Sequence, residues 1–571
     1  MPDAPIPAGP NPGAGDAPER KPLRTAATVV VMRDGPAGIE VLLLRRAERN
    51  DHASGAWVFP GGVLDPADRH GHPHCADLDD ARASAALGIV EGGLDYYVAA
   101  IRECFEEAGL LLAYGSDGRL VSHEGERGAE LANWRGRLHR GETTMDAFCA
   151  HFGLTLATDR LAYQARWVTP PARAKRWDTR FFFALAPAAQ ESSHDEVELV
   201  EQLWLSPADA VKRSDSLKLL NPTRITLELL SGFASVADAM AFARTPRTAA
   251  LAVPHIADGP DGMLPVGPDH GAYAEVGKLD PQSLGNQRYV IDHGRPVRLS
   301  PRVIRVTAAN PGVMTGPGTN TYLVGGGSRN EWAVIDPGPE MPGHLDAVLA
   351  AAPGPVRWIL ATHSHPDHSP GAVELARRTG AVVMGRVADH PRASDPVFAP
   401  QRVLAHGERL AVGDDATLRV FHTPGHASNH LCYLLEQERL LFTGDHLMQA
   451  STVVINPPDG DMAAYLASLR ALLGEDLEWL APGHGFLMAN PRKVIEGIVA
   501  HRLKREAKVA DALAAIGPAS AEDLLPRVYD DVAPGLHPVA MRSLAAHLLK
   551  LEHDGRARRD GERWSATNAA G

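Results

Sequence analysis

Residues 362–369 read T-H-S-H-P-D-H-S, so His363, His365, Asp367 and His368 fall within six residues. Donors packed this closely on one loop can converge on adjacent cations only if a rigid frame holds the loop. Further donors follow in order: His426 in T-P-G-H, Asp445 in F-T-G-D-H and His484 in A-P-G-H-G. Each follows an apolar, strand-like run, at 356–361, 418–421, 439–442 and 477–480. The pattern therefore predicts loops carried on strand ends. Imidazole and carboxylate together suit zinc and similar first-row metals, and the lack of cysteine argues against a closed structural site. The chain has 26 His, so isolated H-x-H pairs arise by chance. Five His and two Asp in matching strand-end settings do not. The tract His70, His72, His74, Cys75 is the contrast: it lies among Asp, Gly and Pro without a strand pattern, and reads as a solvated insertion loop.

The H-x-H-x-D-H signature with its later donors resembles the metallo-beta-lactamase superfamily over about residues 301–500. The resemblance implies an αβ/βα sandwich holding two Zn²⁺. His363, His365 and His426 would take the first ion, Asp367, His368 and His484 the second, and Asp445 would bridge them. Asp367 is also implied as a catalytic group, and Asp336 in A-V-I-D-P-G as a support behind the ligands. Within that superfamily, N-P-G-V-M-T-G-P-G-T-N-T-Y-L-V-G (310–325) and H-R-L-K-R-E (501–506) are similar to the lactamase-beta-like protein 2 family. That family cuts single-stranded RNA and ends in a small winged-helix-like domain, which makes single-stranded RNA an expected partner.

The tail fits such a domain. Helices are expected over 501–516, from near Ser520, and over 538–554, followed by a hairpin with turns at Asp554-Gly555 and Asp560-Gly561. Three helices and a wing serve nucleic-acid binding or protein docking alike. Residues 502–563 carry 11 Lys/Arg against 10 Asp/Glu, while the whole chain carries −13. An acidic chain disfavours unspecific nucleic-acid binding, which keeps a glyoxalase II-like thioester or ester hydrolase open beside the nuclease.

An independent signal lies upstream. F-P-G-G-V-L-D (59–65) precedes R-E-C-F-E-E-A-G-L (102–110). On a helix Glu103, Glu106 and Glu107 stand at i, i+3 and i+4 and share one face, while Ile101, Phe105 and Ala108 lie opposite. Three convergent carboxylates repel one another unless hard cations such as Mg²⁺ or Mn²⁺ neutralise them, and those cations also bind a diphosphate. Arg102 can pair with Glu106. The pattern resembles the Nudix hydrolases over residues 23–245, an α/β/α sandwich. V-L-L-L-R-R, W-V-T-P and R-W-D-T-R-F-F are similar to the branch acting on coenzyme A and its esters. Glu106 and Glu107 are then implied as catalytic, with Glu103, Glu106 and Glu107 as metal ligands and a coenzyme A-like diphosphate as substrate. Two departures stand out: Asp68 takes the first acidic position of the box, and a long Ala/Asp/His segment replaces the usual seven-residue spacer; they motivate the alternative in which this domain is only a ligand sensor beside a glyoxalase II-like hydrolase.

The remaining spans read as a disordered tail (1–22), a Gly/Pro/Asp-rich connector with strand-like pieces such as 289–291 (246–300), and the winged-helix-like domain (501–571). Four spaced Cys without C-x-x-C, and no run of 18 apolar residues, point to a reducing compartment and no membrane span. A cytoplasmic location is the expectation.

Overall fold

The computed structural model describes residues 23–48, 54–170, 175–193, 199–245, 251–390, 394–449 and 452–567. The expected tail, 1–22, lies outside them. The chain forms two compact units, Met1–Pro254 and His255–Gly571.

In the first unit the strand Arg24–Gly35 runs parallel to Trp177–Leu185 and antiparallel to Gly38–Arg46. Its continuous apolar run follows from burial of both sheet faces. Val29, Val31, Leu42 and Leu44 pack with Ile101 and Phe105 of the helix Gly93–Ala108. Their alternating neighbours Val30, Met32, Val41 and Leu43 pack with Leu227, Leu230 and Ala239 of the helices Asn221–Leu230 and Val236–Arg244. The result is an α/β/α sandwich.

The insertion before Arg102 is folded, which corrects the solvated-loop expectation for the His70 tract. A 3-10 turn spans Pro66–His74 and a helix spans Asp80–Leu87. His72 Nε2 lies 2.7 Å from Asp95 Oδ1 and His74 Nε2 lies 3.0 Å from Asp146 Oδ1. Cys75 is half-buried and His70 exposed. The partners sit 23 and 72 residues away, so no local pattern announces them.

The second unit is a sandwich of a seven-stranded and a six-stranded sheet. Strand alternation builds its layers. Tyr322, Val324, Ile335 and Leu360 face Leu418, Val420, Tyr433 and Phe442 across the centre. Leu323, Val334 and Ile359 turn outward onto Val348 and Leu375 from the helices Pro342–Ala351 and Gly371–Thr379. Leu434, Leu441 and Leu480 turn outward onto Tyr465, Leu466 and Leu469 of Met462–Leu472. This is the αβ/βα arrangement.

The span expected as a connector is largely part of this unit. It supplies a hairpin (His255–Ala257 with Leu264–Val266), the helix Tyr273–Leu279, and the strand Val297–Ser300, which pairs with Val303–Thr307. Residues 289–291 form no strand; the Tyr289 hydroxyl accepts from Asp261 N instead. Glu275 pairs with Arg305 at 2.6 and 2.9 Å and accepts from Leu487 N at 2.8 Å, all buried. Removing one partner of a buried pair of this kind costs about 3–5 kcal/mol.

The tail begins earlier than its sequence suggests. One helix runs Pro491–Ile516, with proline in its first turn. Its Ile495 joins the core beneath the six-stranded sheet, while Val509 and Leu513 join a separate core with Leu524, Leu544, Leu548 and Trp564. The helix Ala521–Val528, with a Ser520/Asp523 capping box, the helix His537–His553 and the hairpin Ala557–Asp560/Arg563–Ala566 complete a winged helix. Among the described residues no helix is long and apolar enough to cross a membrane.

Candidate active site

Strand ends bring the seven lactamase-type donors together in two groups. His363, His365 and His426 form one; Asp367, His368, Asp445 and His484 form the other. Within each group the donor atoms all lie within 4.8 Å of one another. His363 Nε2 and His426 Nε2 stand 2.9 and 3.0 Å from His365 Nδ1. Asp445 spans both groups. Its Oδ1 lies 3.3 Å from His368 Nε2 and 3.2 Å from His484 Nε2, and its Oδ2 lies 3.8 Å from His426 Nε2.

The opposite ring nitrogens are anchored, which fixes orientation and tautomer. His426 Nδ1 donates to Val454 O at 2.7 Å and His484 Nδ1 to Gly318 O at 3.2 Å. His368 Nδ1 meets Asp336 Oδ2 at 2.9 Å, and His363 Nδ1 meets Thr362 Oγ1 at 3.0 Å. Asp336 also accepts from Thr362 N and Oγ1, at 2.7 and 2.8 Å, so it sits behind two donors. It does so at φ 50°, a left-handed backbone that aspartate tolerates better than most residues. A methyl at Gly483 would come 2.7 Å from Asp445 Oδ1 and 2.8 Å from His368 Cε1, so the close approach requires glycine there.

The donor set fits a pair of cations. His368 Nε2, His484 Nε2 and Asp445 Oδ1 are buried without a hydrogen-bond partner, although they lie within ion-pair range of one another. Buried polar atoms left this way are costly unless a cation satisfies them. Electrostatics separates the two groups. Burial, then the neighbouring His368, holds His363 well below its ordinary value, and burial with His426 lowers His365 to about 3. Those imidazoles are neutral and ready to donate lone pairs. Burial alone would lower His368 and His484 too. Instead Asp367, Asp445 and Asp336 raise His368 well above its usual value, and Asp445 with Asp367 raises His484 to about 9. Both carboxylates are held below the usual range by these imidazoles.

At pH 7 two imidazolium protons therefore stand where a cation would bind in the second group. Uptake of a divalent ion there is expected to release about two protons at pH 7, while His363 and His365, held neutral, contribute none. Because His484 deprotonates near 9, the release falls toward one above that pH and apparent affinity rises as pH increases. Calorimetric titration in buffers of different ionisation enthalpy measures this directly; zero release at pH 7 contradicts the assignment.

Two buried histidines behind the first group escape sequence reasoning. The His430 ring centroid lies 5.1 Å from His363 and 5.6 Å from His446. Burial pushes His430 well below its ordinary value and His446 to about 3. Their one sequence signal is position, since His446 follows Asp445 and His430 precedes the strand Leu431–Leu435.

A cleft of about 530 Å³ opens over these groups. His365, Asp367, His426 and Asp445 form part of its lining. Val313, Met314, Met448, Val532, Leu536 and Val539 supply apolar surface, and Arg502, Arg505 and Arg542 approach from the C-terminal helices.

In the first unit Arg102 organises the acids. It donates to both oxygens of Asp68, at 2.8 and 3.0 Å, to Glu103 at 2.8 Å and to Val63 O at 3.0 Å, and lies 3.6 Å from Glu106. Asp68 thus reaches the acidic helix across the long insertion. Glu107 accepts from Gly61 N at 2.7 Å, and a methyl at Gly62 would strike Glu103 Oε1 at 2.4 Å. Among the described residues these acids do not form a third group as tight as the two above. Burial, reinforced by Glu103 and opposed by Arg102, pushes Glu106 up to about 7.

Three family models match the chain: Metallo-beta-lactamase superfamily over 314–484, NUDT19 Nudix domain over 75–224, and Beta-lactamase associated winged helix domain over 520–564. A beta-lactamase-like protein 2 homolog from Drosophila melanogaster is 33% identical over 46% of this chain and 91% of its own. An atrochrysone carboxyl ACP thioesterase from Cryptosporiopsis sp. (strain 8999) is 30% identical over 45% of this chain and 82% of its own. A crystal structure of a Nudix hydrolase from Alicyclobacillus acidocaldarius aligns with TM-score 0.33 and 29% identity, over 38% of this chain and 96% of that one.

Proposed function

Because the chain belongs to the metallo-beta-lactamase superfamily and joins that hydrolase to a Nudix domain, we propose that its two sites hydrolyse two bonds of one substrate class, acyl thioesters of coenzyme A. The second site cuts the thioester and the first cuts the diphosphate. The observation that carries this reading is the cleft: seven converging donors lie under a largely apolar wall in a volume suited to a small molecule. An acyl chain and a pantetheine arm are uncharged and match that wall. A bare RNA strand asks for an extended basic groove with successive stacking aromatics, of which Arg502, Arg505, Arg542 and Tyr529 supply a part. The thioesterase named among the relatives points the same way.

The two donor groups would hold a pair of divalent ions, Zn²⁺ on the donor chemistry, which would supply water activated near neutral pH and a positive field for the developing oxyanion. The chain's own groups do the rest. Asp445 sets the spacing of the two donor groups, and the anchored imidazoles hold it without reorganisation. Asp367, half-buried at the cleft floor and held ionised, accepts the proton that water gives up as its oxygen bonds to the carbonyl carbon. The C–S bond then breaks to a thiolate. A thiol is a far stronger acid than an alcohol, so its thiolate leaves without a dedicated acid, which suits a site whose cleft-lining imidazoles His365 and His426 belong to the donor group. In the first site Glu103, Glu106 and Glu107 would hold Mg²⁺ or Mn²⁺, which would supply positive charge for a diphosphate, and Arg102 positions Glu103 and Glu106.

A second reading, a single-strand ribonuclease, is favoured by the winged helix and the arginines on the cleft. One assay separates them. The full chain, loaded with Zn²⁺ and Mg²⁺, is given butyryl- to decanoyl-coenzyme A and, separately, labelled single-stranded RNA. Free thiol and 4′-phosphopantetheine products are expected from the first; RNA cleavage without thiol release would establish the nuclease instead.

A further inference from the structure

Arg502 is a buried cation without a counter-ion. It is 3% exposed, lines the cleft from the helix Pro491–Ile516, and makes no ion pair among the described residues. One guanidinium nitrogen, Nη2, donates to Val453 O, while Nε has no partner. The carboxylates of this region bond other groups. Asp531 takes Arg505 through two bonds at 2.7 and 3.0 Å. Glu506 takes Lys550 at 3.0 Å and Arg556 at 2.9 Å. Asp459, on the same cleft, is held by the Ser428 hydroxyl and backbone. The surplus positive charge is felt nearby: burial, then Arg502, lowers His547 to about 3. Arg542, exposed on the helix His537–His553, lines the same cleft and also makes no ion pair or hydrogen bond among the described residues.

A buried charge is normally paired. A purely structural role for Arg502 would be to satisfy the Val453 carbonyl and the Tyr465 hydroxyl, whose ring centroid lies 5.6 Å away. That role needs no charge, and it leaves Nε idle. Resting on the reading of this cleft as the substrate site, we propose that Arg502, with Arg542 on the same cleft, is an anion subsite that binds a carboxylate or phosphate oxygen on the substrate, away from the bond that is cut. A planar guanidinium offers the paired donors that such oxyanions accept.

The test uses the full metal-loaded chain and three thioesters: butyryl-pantetheine (neutral), butyryl-4′-phosphopantetheine (phosphate on the thiol side) and glutaryl-pantetheine (carboxylate on the acyl side). Wild type is expected to prefer one anionic substrate over the neutral one by about tenfold to hundredfold in kcat/KM. That preference falls toward one in Arg502→Met and Arg542→Gln, and Arg502→Lys restores part of it. Whichever arm is preferred identifies the source of the anion. A wild type with no preference, or variants that keep it, overturns the subsite. Because Arg502→Met replaces a buried group, the exposed Arg542→Gln carries the test if that variant does not fold. Should wild type cut none of the three, the thioester reading fails and a binding measurement decides the subsite alone. Sodium sulfate, compared with sodium chloride at equal ionic strength, then raises the melting midpoint of wild type more than that of Arg542→Gln. Equal shifts reject it.

Discussion

Asp445→Ala is expected to lower thioester hydrolysis by about 10³-fold, equivalent to about 4 kcal/mol of transition-state stabilisation, and to reduce bound metal. The size follows from its position. Oδ1 faces the Nε2 atoms of His368 and His484 while Oδ2 faces His426, so one side chain serves both donor groups. Its charge also keeps His484 near 9 and His368 raised. Without it His484 loses its largest attraction for a proton, while Asp367 and Asp336 still hold His368 raised, and the cation loses a ligand in either case. Asp445→Asn separates charge from shape: it preserves packing but still loses the second ion, and its proton release on metal uptake drops below the wild-type value. Metal content by mass spectrometry with kcat/KM on one acyl thioester reads both effects. Full activity in a variant with wild-type metal content would remove Asp445 from the site.

The seven donors were legible because metal chemistry restricts residue type while strand ends restrict position. The His-rich tract at residues 70–75 shows the limit of composition alone. Its histidines resemble ligands locally, yet Asp95 and Asp146 claim two of them from other helices. The wall of the cleft was less legible still. The basic cluster after His501 reads as a solvated face or a phosphate grip, and only the tertiary structure buries Arg502 and Arg505 while leaving Lys504 exposed and Lys508 half-buried. The helix itself starts at Pro491, ten residues before the apparent start, because its first turns pack on the sandwich and its last turns on the winged helix. No local periodicity marks such a change of partner. His430 and His446 were invisible for a related reason, since their surroundings are made of residues remote in sequence.

Glu106→Gln is expected to lower diphosphate hydrolysis by about 10²–10³-fold while thioester hydrolysis by the same protein stays within about twofold. Glu106 is buried and raised to about 7, by burial first and by Glu103 second. Near neutral pH it is therefore about half protonated until a cation arrives. Binding Mg²⁺ favours the carboxylate, so affinity rises with pH through 7 and levels off above it, with up to one proton released per ion. Glutamine keeps the volume and removes the charge, which abolishes both the pH dependence and the release. Arg102 prevents a simple collapse of the site in the variant: it remains tied to both oxygens of Asp68, to Glu103 and to Val63 O. Product analysis for 4′-phosphopantetheine, run beside thiol release on the same acyl-coenzyme A, gives the two rates in one sample. Diphosphate cleavage at the wild-type rate would exclude Glu106 from the reaction. A parallel fall in both rates would mean that the two sites do not work independently.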